Sequence, residues 1–294
     1  MQPSSRLVAS RRTMRLVLAL ALALALALPA GCFGPRSSPV EVHAYLPLND
    51  AEPGRGTELA FFLRSTSPFQ QTLPVSVADL PANWTFAPEN KTVTVAGDGT
   101  TSLVVRVTPD ANATFGPHTL GVLVGDTRDD VIVNVEQLGA EPLRAGIGAQ
   151  VAYVLWYDNG TLIETNDKVA RDQPGLAWVP SNDTPDDAPL KVYVGGQRGT
   201  PPPEPYNSTG CAADEKPPCY HPVIPGFDAR LRDAGNGQGM VAGETLAVRV
   251  PAAQAYTYPG NEAHPLYGAN LNFLIRVVSV DEFNVRSCAL PVCS

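Results

Sequence analysis

The sequence predicts a mainly β protein of two domains behind an export leader. Three observations carry that expectation. Among 294 residues, 29 prolines and 25 glycines stand against a charged fraction of only 17%, a balance that suits strands and turns and leaves few Glu, Lys and Arg for surface helices. Short alternating apolar runs separated by turn residues fill residues 40–138. A second series of hairpin and strand patterns, with one short helical stretch, fills residues 139–294. The length itself allows about two domains of ordinary size.

Arg6, Arg11, Arg12 and Arg15 open the chain, Leu16 to Leu28 is nearly pure Leu and Ala, and Pro29-Ala30-Gly31-Cys32 closes the segment. A basic start, an apolar stretch of about 13 residues and small residues at its end are the parts of an export signal, here residues 1–31. The stretch is shorter than the ~20 residues of a spanning helix. Ala30-Gly31-Cys32 resembles a lipobox, with Pro29 where Leu is usual. That resemblance implies a lipid on Cys32, residues 32–39 as a tether, and an extracytoplasmic chain held at the membrane. A plain secretory signal is the alternative. Ser10-Arg11-Arg12 resembles part of a twin-arginine export motif.

Four of the 21 basic residues lie in that leader, which leaves 17 against 29 acids and a formal charge of −12 beyond it. So acidic a surface repels nucleic acid and anionic headgroups, so neither is an expected partner. Once Cys32 is assigned to lipid, Cys211, Cys219, Cys288 and Cys293 remain. An even number in an exported chain makes disulfides the default, with three possible pairings. Cys211–Cys219 and Cys288–Cys293 close the shortest loops and are preferred. His221 beside the first pair would permit zinc, but the CxxC spacing of such sites is missing, so no metal and no cofactor is expected. Sequons at Asn83, Asn90, Asn112, Asn159, Asn182 and Asn207 are compatible with an exterior location.

In the first domain the candidate strands are Glu41–Leu46, Glu58–Arg64, Leu73–Val77, Thr92–Val95, Ser102–Val107, His118–Val124 and Val131–Val135. Asp50 to Gly54, Ala96 to Gly99 and Gly125-Asp126 supply turns. Seven short strands at that spacing predict an antiparallel β-sandwich over residues 40–138. Leu80 to Phe86 and Ser102 to Pro109 resemble the immunoglobulin-like modules of archaeal and bacterial surface proteins. No cluster of His, Asp or Glu has ligand spacing there, and His43 and His118 receive no role. The sandwich therefore reads as a spacer lifting the next domain off the membrane, with a grip on a partner as the alternative. Gly139, Glu141 and Pro142 break the strand rhythm and mark the boundary.

Residues 149–165 alternate as a strand, an Asp158-Asn159-Gly160 turn and a second strand, the pattern of a β-hairpin. Val223-Ile224-Pro225-Gly226-Phe227 leads into a short helix over about Phe227–Arg232. Gly239 to Glu244, Val248 to Tyr256 and His264-Pro265-Leu266-Tyr267-Gly268 follow, before an apolar strand from Leu271 to Val280. These ordered blocks over about 135 residues resemble the FKBP-type peptidyl-prolyl cis-trans isomerases, the archaeal members most. The resemblance implies an FKBP-like α+β domain over residues 139–294: an antiparallel half-barrel sheet around one short helix, with insertions near 167–187 and 196–221.

The implied chemistry is simple. Resonance places a barrier of about 18–20 kcal/mol on rotation about a peptide bond. Before proline the two isomers are close in energy, yet they exchange in tens to hundreds of seconds. Catalysis needs no nucleophile, only a dry apolar pocket that disfavours the planar, charge-separated amide and donors placed for the twisted one. By resemblance, Phe227 lies under the proline ring, and Tyr153, Val223, Tyr256 and Phe273 form walls. The Ile224 N–H and the Tyr256 hydroxyl hold peptide carbonyls, and Leu190 and His264 rim the site. Ile163-Glu164 stands where the family has Phe-Asp, and Leu190 where an aromatic is usual. Those departures bear on turnover and on which residue is preferred before proline. The expected protein is a monomer that speeds folding of proline-containing unfolded or surface proteins; a peptide-gripping chaperone module with weak turnover is the alternative. By pattern alone the same aromatics and valines would be ordinary core.

Overall fold

Alternating apolar residues build two facing sheets from the first part of the chain. The computed structural model describes residues 38–87, 92–179, 188–196, 223–235, 237–257 and 260–281. One sheet has the order β1 (Val40–Ala44), β3 (Thr57–Ser65), β7 (Thr100–Thr108) and β5 (Thr85–Ala87). The other runs β2 (Leu48–Ala51), β9 (Thr127–Val135), β8 (Gly116–Val124), β4 (Gln71–Ala78) and β6 (Thr92–Val95). Leu59, Phe61 and Val105 of the first meet Leu120, Val122 and Val133 of the second in one apolar core.

The seven strands expected here are present, Thr92–Val95 with the expected ends and the other six with shifted ones, and β2 and β5 are additional. Asp50 and Ala51, expected as turn, belong to β2. Their backbone is satisfied by parallel pairing with β9, and Asn49 is buried with its amide donating to the Leu46 carbonyl at 3.1 Å. Neither that pairing nor the three residues of β5 leaves an alternation to read.

The third sheet has the order β11 (Leu162–Thr165), β10 (Gly148–Tyr157), β14 (Leu271–Asp281) and β13 (Thr245–Val250). β12 (Leu190–Tyr193) shares an edge of β10 with β11, pairing Gly148 to Val151 while β11 pairs Val154 to Trp156. Register shifts at Gln150/Val151 and Leu155/Trp156 are bulges, which bend a strand and raise its twist. The sheet curls into a half-barrel. After β11 comes α1 (Lys168–Arg171), one turn capped by Asp167, whose carboxylate accepts the Val169 and Ala170 N–H groups. α2 (Pro225–Arg232) covers the concave face, burying Phe227 and Leu231 against Val151, Leu155, Phe273 and Ile275. Pro225 sits in its first turn, where a missing N–H has no intrahelical partner to lose.

The convex face is covered too. Val154, Trp156, Leu162 and Leu274 pack against Tyr45, Leu46, Ala60 and Phe62. β3 is thereby buried on both faces, with Leu59, Phe61 and Leu63 in one cluster and Ala60 and Phe62 in another. From Ser38 onward the described residues form one compact unit. Among the described residues no helix is long and apolar enough to cross a membrane. The leader with Cys32, the cysteines Cys211, Cys219, Cys288 and Cys293, the sequons at Asn90, Asn182 and Asn207, and residues 180–187 and 197–221 of the two expected insertions lie outside the described residues.

Candidate functional site

Strand alternation decides which side chains face α2. On β10, Val151, Tyr153 and Leu155 take the concave side while Val154 and Trp156 take the other. Tyr153 and Phe273 of β14 thereby meet Phe227 of α2. The Phe227 and Phe273 ring centroids lie 5.1 Å apart at 87°, and those of Tyr153 and Phe227 lie 6.2 Å apart at 90°. Such edge-to-face contacts bring the positive rim of one ring to the negative face of the next. Phe227 and Phe273 are only 3% and 4% exposed. Ile163, Leu190, Val223 and Tyr256 are half-buried against the same cluster. Gly226 precedes Phe227 because space runs out there: a Cβ would lie 2.4 Å from the Val250 side chain.

Ile224 is buried at the N-cap of α2 in extended conformation (φ −61°, ψ 148°). Its carbonyl accepts the Asp228 N–H at 3.0 Å, and no backbone acceptor among the described residues takes its own N–H. Tyr256 follows the 3-10 turn Ala252–Gln254, with its carbonyl held by the Asn261 amide at 2.7 Å. Its ring stacks on His264, centroids 4.1 Å apart and planes 8° apart. His264 Nδ1 accepts the Leu266 N–H at 3.1 Å, so the neutral imidazole carries its proton on Nε2.

Glu164 stands opposite Leu155 and so on the concave face, where its Oε1 accepts from the Tyr153 hydroxyl. Burial pushes the Tyr153 phenol above its ordinary value, and the Glu164 charge, that hydrogen bond and nearby Tyr256 add to the shift. All four favour a neutral phenol that donates. Two residues that sequence reasoning left without a role brace Tyr153 from behind. Asn166 accepts the Tyr153 N–H at 2.7 Å and donates to the Val151 and Ala188 carbonyls at 3.0 and 3.2 Å. The Thr165 hydroxyl donates to the Tyr153 carbonyl at 2.6 Å. A polar Thr-Asn pair ending a strand was the available signal. Asp228, also unforeseen, is 4% exposed and joins α2 to the turn after β12 by accepting the Gly195 N–H at 2.6 Å, while within α2 it accepts from Arg232 Nε at 2.8 Å.

The ten residues marked by the resemblance thus gather on one side of the half-barrel, Glu164 through Tyr153 and His264 through Tyr256. Among the described residues no three His, Cys, Asp or Glu side chains converge as metal ligands would. The arrangement is a buried aromatic pair, Phe227 and Phe273, with Tyr153, Ile163, Leu190, Val223 and Tyr256 half-buried beside it.

No protein-family model and no curated protein matches the sequence. The alkylpurine DNA glycosylase AlkC of Pseudomonas fluorescens, bound to DNA containing an abasic-site analogue, aligns at 17% identity over 34% of this chain and 31% of its own, with a TM-score of 0.26. Domains 4 and 5 of the S-layer protein SbsC align at 15% identity over 33% and 51%, TM-score 0.25. The CupB2 chaperone of Pseudomonas aeruginosa aligns at 11% identity over 42% and 81%, TM-score 0.23. The chain spans from under a third to about half of the first two. At TM-scores this low none of them bears on what the chain does.

Proposed function

We propose that the chain is an exported peptidyl-prolyl cis-trans isomerase of the FKBP type, preceded by an immunoglobulin-like layer and held at the membrane by a lipid on Cys32. The observation that supports the reading is the convergence of separate sequence blocks on one concave face, with Phe227 edge to face with both Phe273 and Tyr153 and with Tyr256 and Ile224 in the same cluster. A proline ring seated on Phe227 brings its amide out of water, where the charge-separated planar form is poorly solvated. Twisting moves the nitrogen lone pair out of conjugation, so the apolar seat lowers the barrier. The Ile224 N–H and the Tyr256 hydroxyl hold the flanking carbonyls. Tyr153 keeps its proton because burial and Glu164 oppose a phenolate. No covalent bond forms or breaks, and no cofactor is required.

The test is a protease-coupled assay on a tetrapeptide with one X–Pro bond, using the full chain. Isomerisation faster than the spontaneous tens to hundreds of seconds is expected. One neutral hydrogen bond contributes about 0.5–1.5 kcal/mol, so Tyr256→Phe is expected to lower kcat/KM about two- to tenfold. Phe227→Leu keeps an apolar side chain and removes the flat seat; it is expected to lose more. A folded chain that binds unfolded protein yet leaves the rate at its spontaneous value is a holding module and not an isomerase. Intact mass of membrane-extracted protein checks the anchor, and an unmodified Cys32 removes it.

A further inference from the structure

We infer that the β layer of residues 40–135 positions the pocket, with Tyr45 and Glu58 as positioning residues for the reaction proposed above. The kinetic side of this inference rests on that functional reading; the structural side stands without it.

Tyr45 follows β1 and is fully buried. Its ring stacks on Trp156 of β10, centroids 4.6 Å apart, and its hydroxyl donates to the Gly160 carbonyl at 2.7 Å. Gly160 closes the hairpin that carries Tyr153 and Glu164. Its φ of +86° favours glycine, and a Cβ there would lie 2.5 Å from the Thr101 carbonyl oxygen of β7. The hairpin turn is therefore pressed onto the first layer and pinned to it.

Glu58 of β3 makes the second link. Its carboxylate accepts from Arg230 at 3.2 and 3.3 Å, from the Ala247 N–H at 2.6 Å and from Arg106 at 3.4 Å. Arg230 lies one turn beyond Phe227 on α2, and Ala247 lies on β13 beside Val248, which packs against the aromatic cluster. Arg55 adds a third, meeting the buried Glu244 through bonds of 3.0 and 2.7 Å while Glu244 also accepts the Val241 N–H. The first two links each end on an element that carries or supports a pocket residue. Partly buried ion pairs contribute little net stability, because desolvation offsets their attraction. Orientation is the effect left to them, and misplacement of about 1 Å can cost a catalyst about a hundredfold.

Tyr45→Phe keeps the stacked ring and removes one hydrogen bond, and Glu58→Gln keeps shape and removes charge. Both are made in the full chain and compared with wild type by amide hydrogen exchange and by turnover of the proline tetrapeptide. In Tyr45→Phe, amides of residues 160–165 are expected to exchange about tenfold faster while those of β7 are unchanged; in Glu58→Gln the same holds for residues 228–232. Well below the melting temperature kcat is expected to fall about tenfold or more with KM within about twofold. A merely structural role would leave the folded fraction, and hence kcat, unaltered there. Protection equal to wild type in both variants overturns the inference, as does altered protection with unchanged kcat. If wild type shows no isomerase activity the functional reading falls, and exchange alone then decides: faster exchange at the hairpin and α2 upholds the anchoring, unchanged exchange ends it.

Discussion

Tyr153 takes its chemistry from its neighbours. Burial, the Glu164 carboxylate and the hydrogen bond between them all hold the phenol neutral, and burial does the same for Tyr45. An unfolded tyrosine ionises near pH ~10, so above that pH the unfolded chain releases protons that the folded chain keeps. The stability from these two groups is whole below pH ~10 and declines as pH rises further. Melting temperature is therefore expected to fall less steeply above pH ~10 in Tyr153→Phe than in wild type, read by calorimetry. Equal slopes would mean that Tyr153 is not held neutral. At this scale the sequence is legible where the resemblance names residue types: Phe227, Tyr256 and Phe273 fall in one cluster. It gives Asn166 and Thr165 no role. Polar residues at a strand end suit many roles, and their partners on Val151, Tyr153 and Ala188 meet only once β11 and β12 share an edge of β10.

The hairpin β10–β11 was the most legible element, since Asp158-Asn159-Gly160 between alternating runs leaves few other conformations. Its turn also ties the sheet together. Asp158 accepts from Arg249 of β13 at 3.0 and 2.7 Å, from Asn272 of β14 at 2.9 Å and from Asn270 at 3.3 Å. The Arg249 hydrogen bond leads in lowering its carboxyl to about 2, with Asn272 and the Arg249 charge helping and burial opposing. A depressed carboxyl contributes stability above its ordinary value of 3.8 and loses it as pH falls toward about 2. At 46% side-chain exposure, solvent screening keeps that contribution small. The Asp158 carboxyl carbon is expected to titrate near 2 by NMR and to return toward its ordinary value in Arg249→Met; titration at 3.8 in wild type would contradict the network. β3 teaches a different lesson. Leu59 to Leu63 is apolar at every position, the mark of a strand covered on both faces. The signal stands in the sequence, but what covers the second face does not.

At the scale of the whole molecule, the break in rhythm at Gly139 was legible, while the packing across it was not. That contact joins Tyr45 and Phe62 to Trp156 and Leu274, residues more than 90 positions apart that no local pattern relates. One shared cluster implies one cooperative unit. Phe62→Ala, at a side chain with no exposure, is expected to cost about 3–5 kcal/mol and to lower one common unfolding transition. Two separate transitions, only one of them moved, would contradict it. Residues 139–294 alone would bare Val154, Trp156, Leu162 and Leu274, so the full chain is the form on which activity is tested. The most direct measurement follows the X–Pro bond itself, by exchange NMR on a proline tetrapeptide with a substoichiometric amount of the full chain. Cis–trans exchange peaks are expected at mixing times of about a second, far shorter than the spontaneous tens to hundreds of seconds, and are expected to weaken with Phe227→Leu. A spectrum identical to that of the free peptide, from a chain whose dispersed amide signals show it folded, would contradict the isomerase reading.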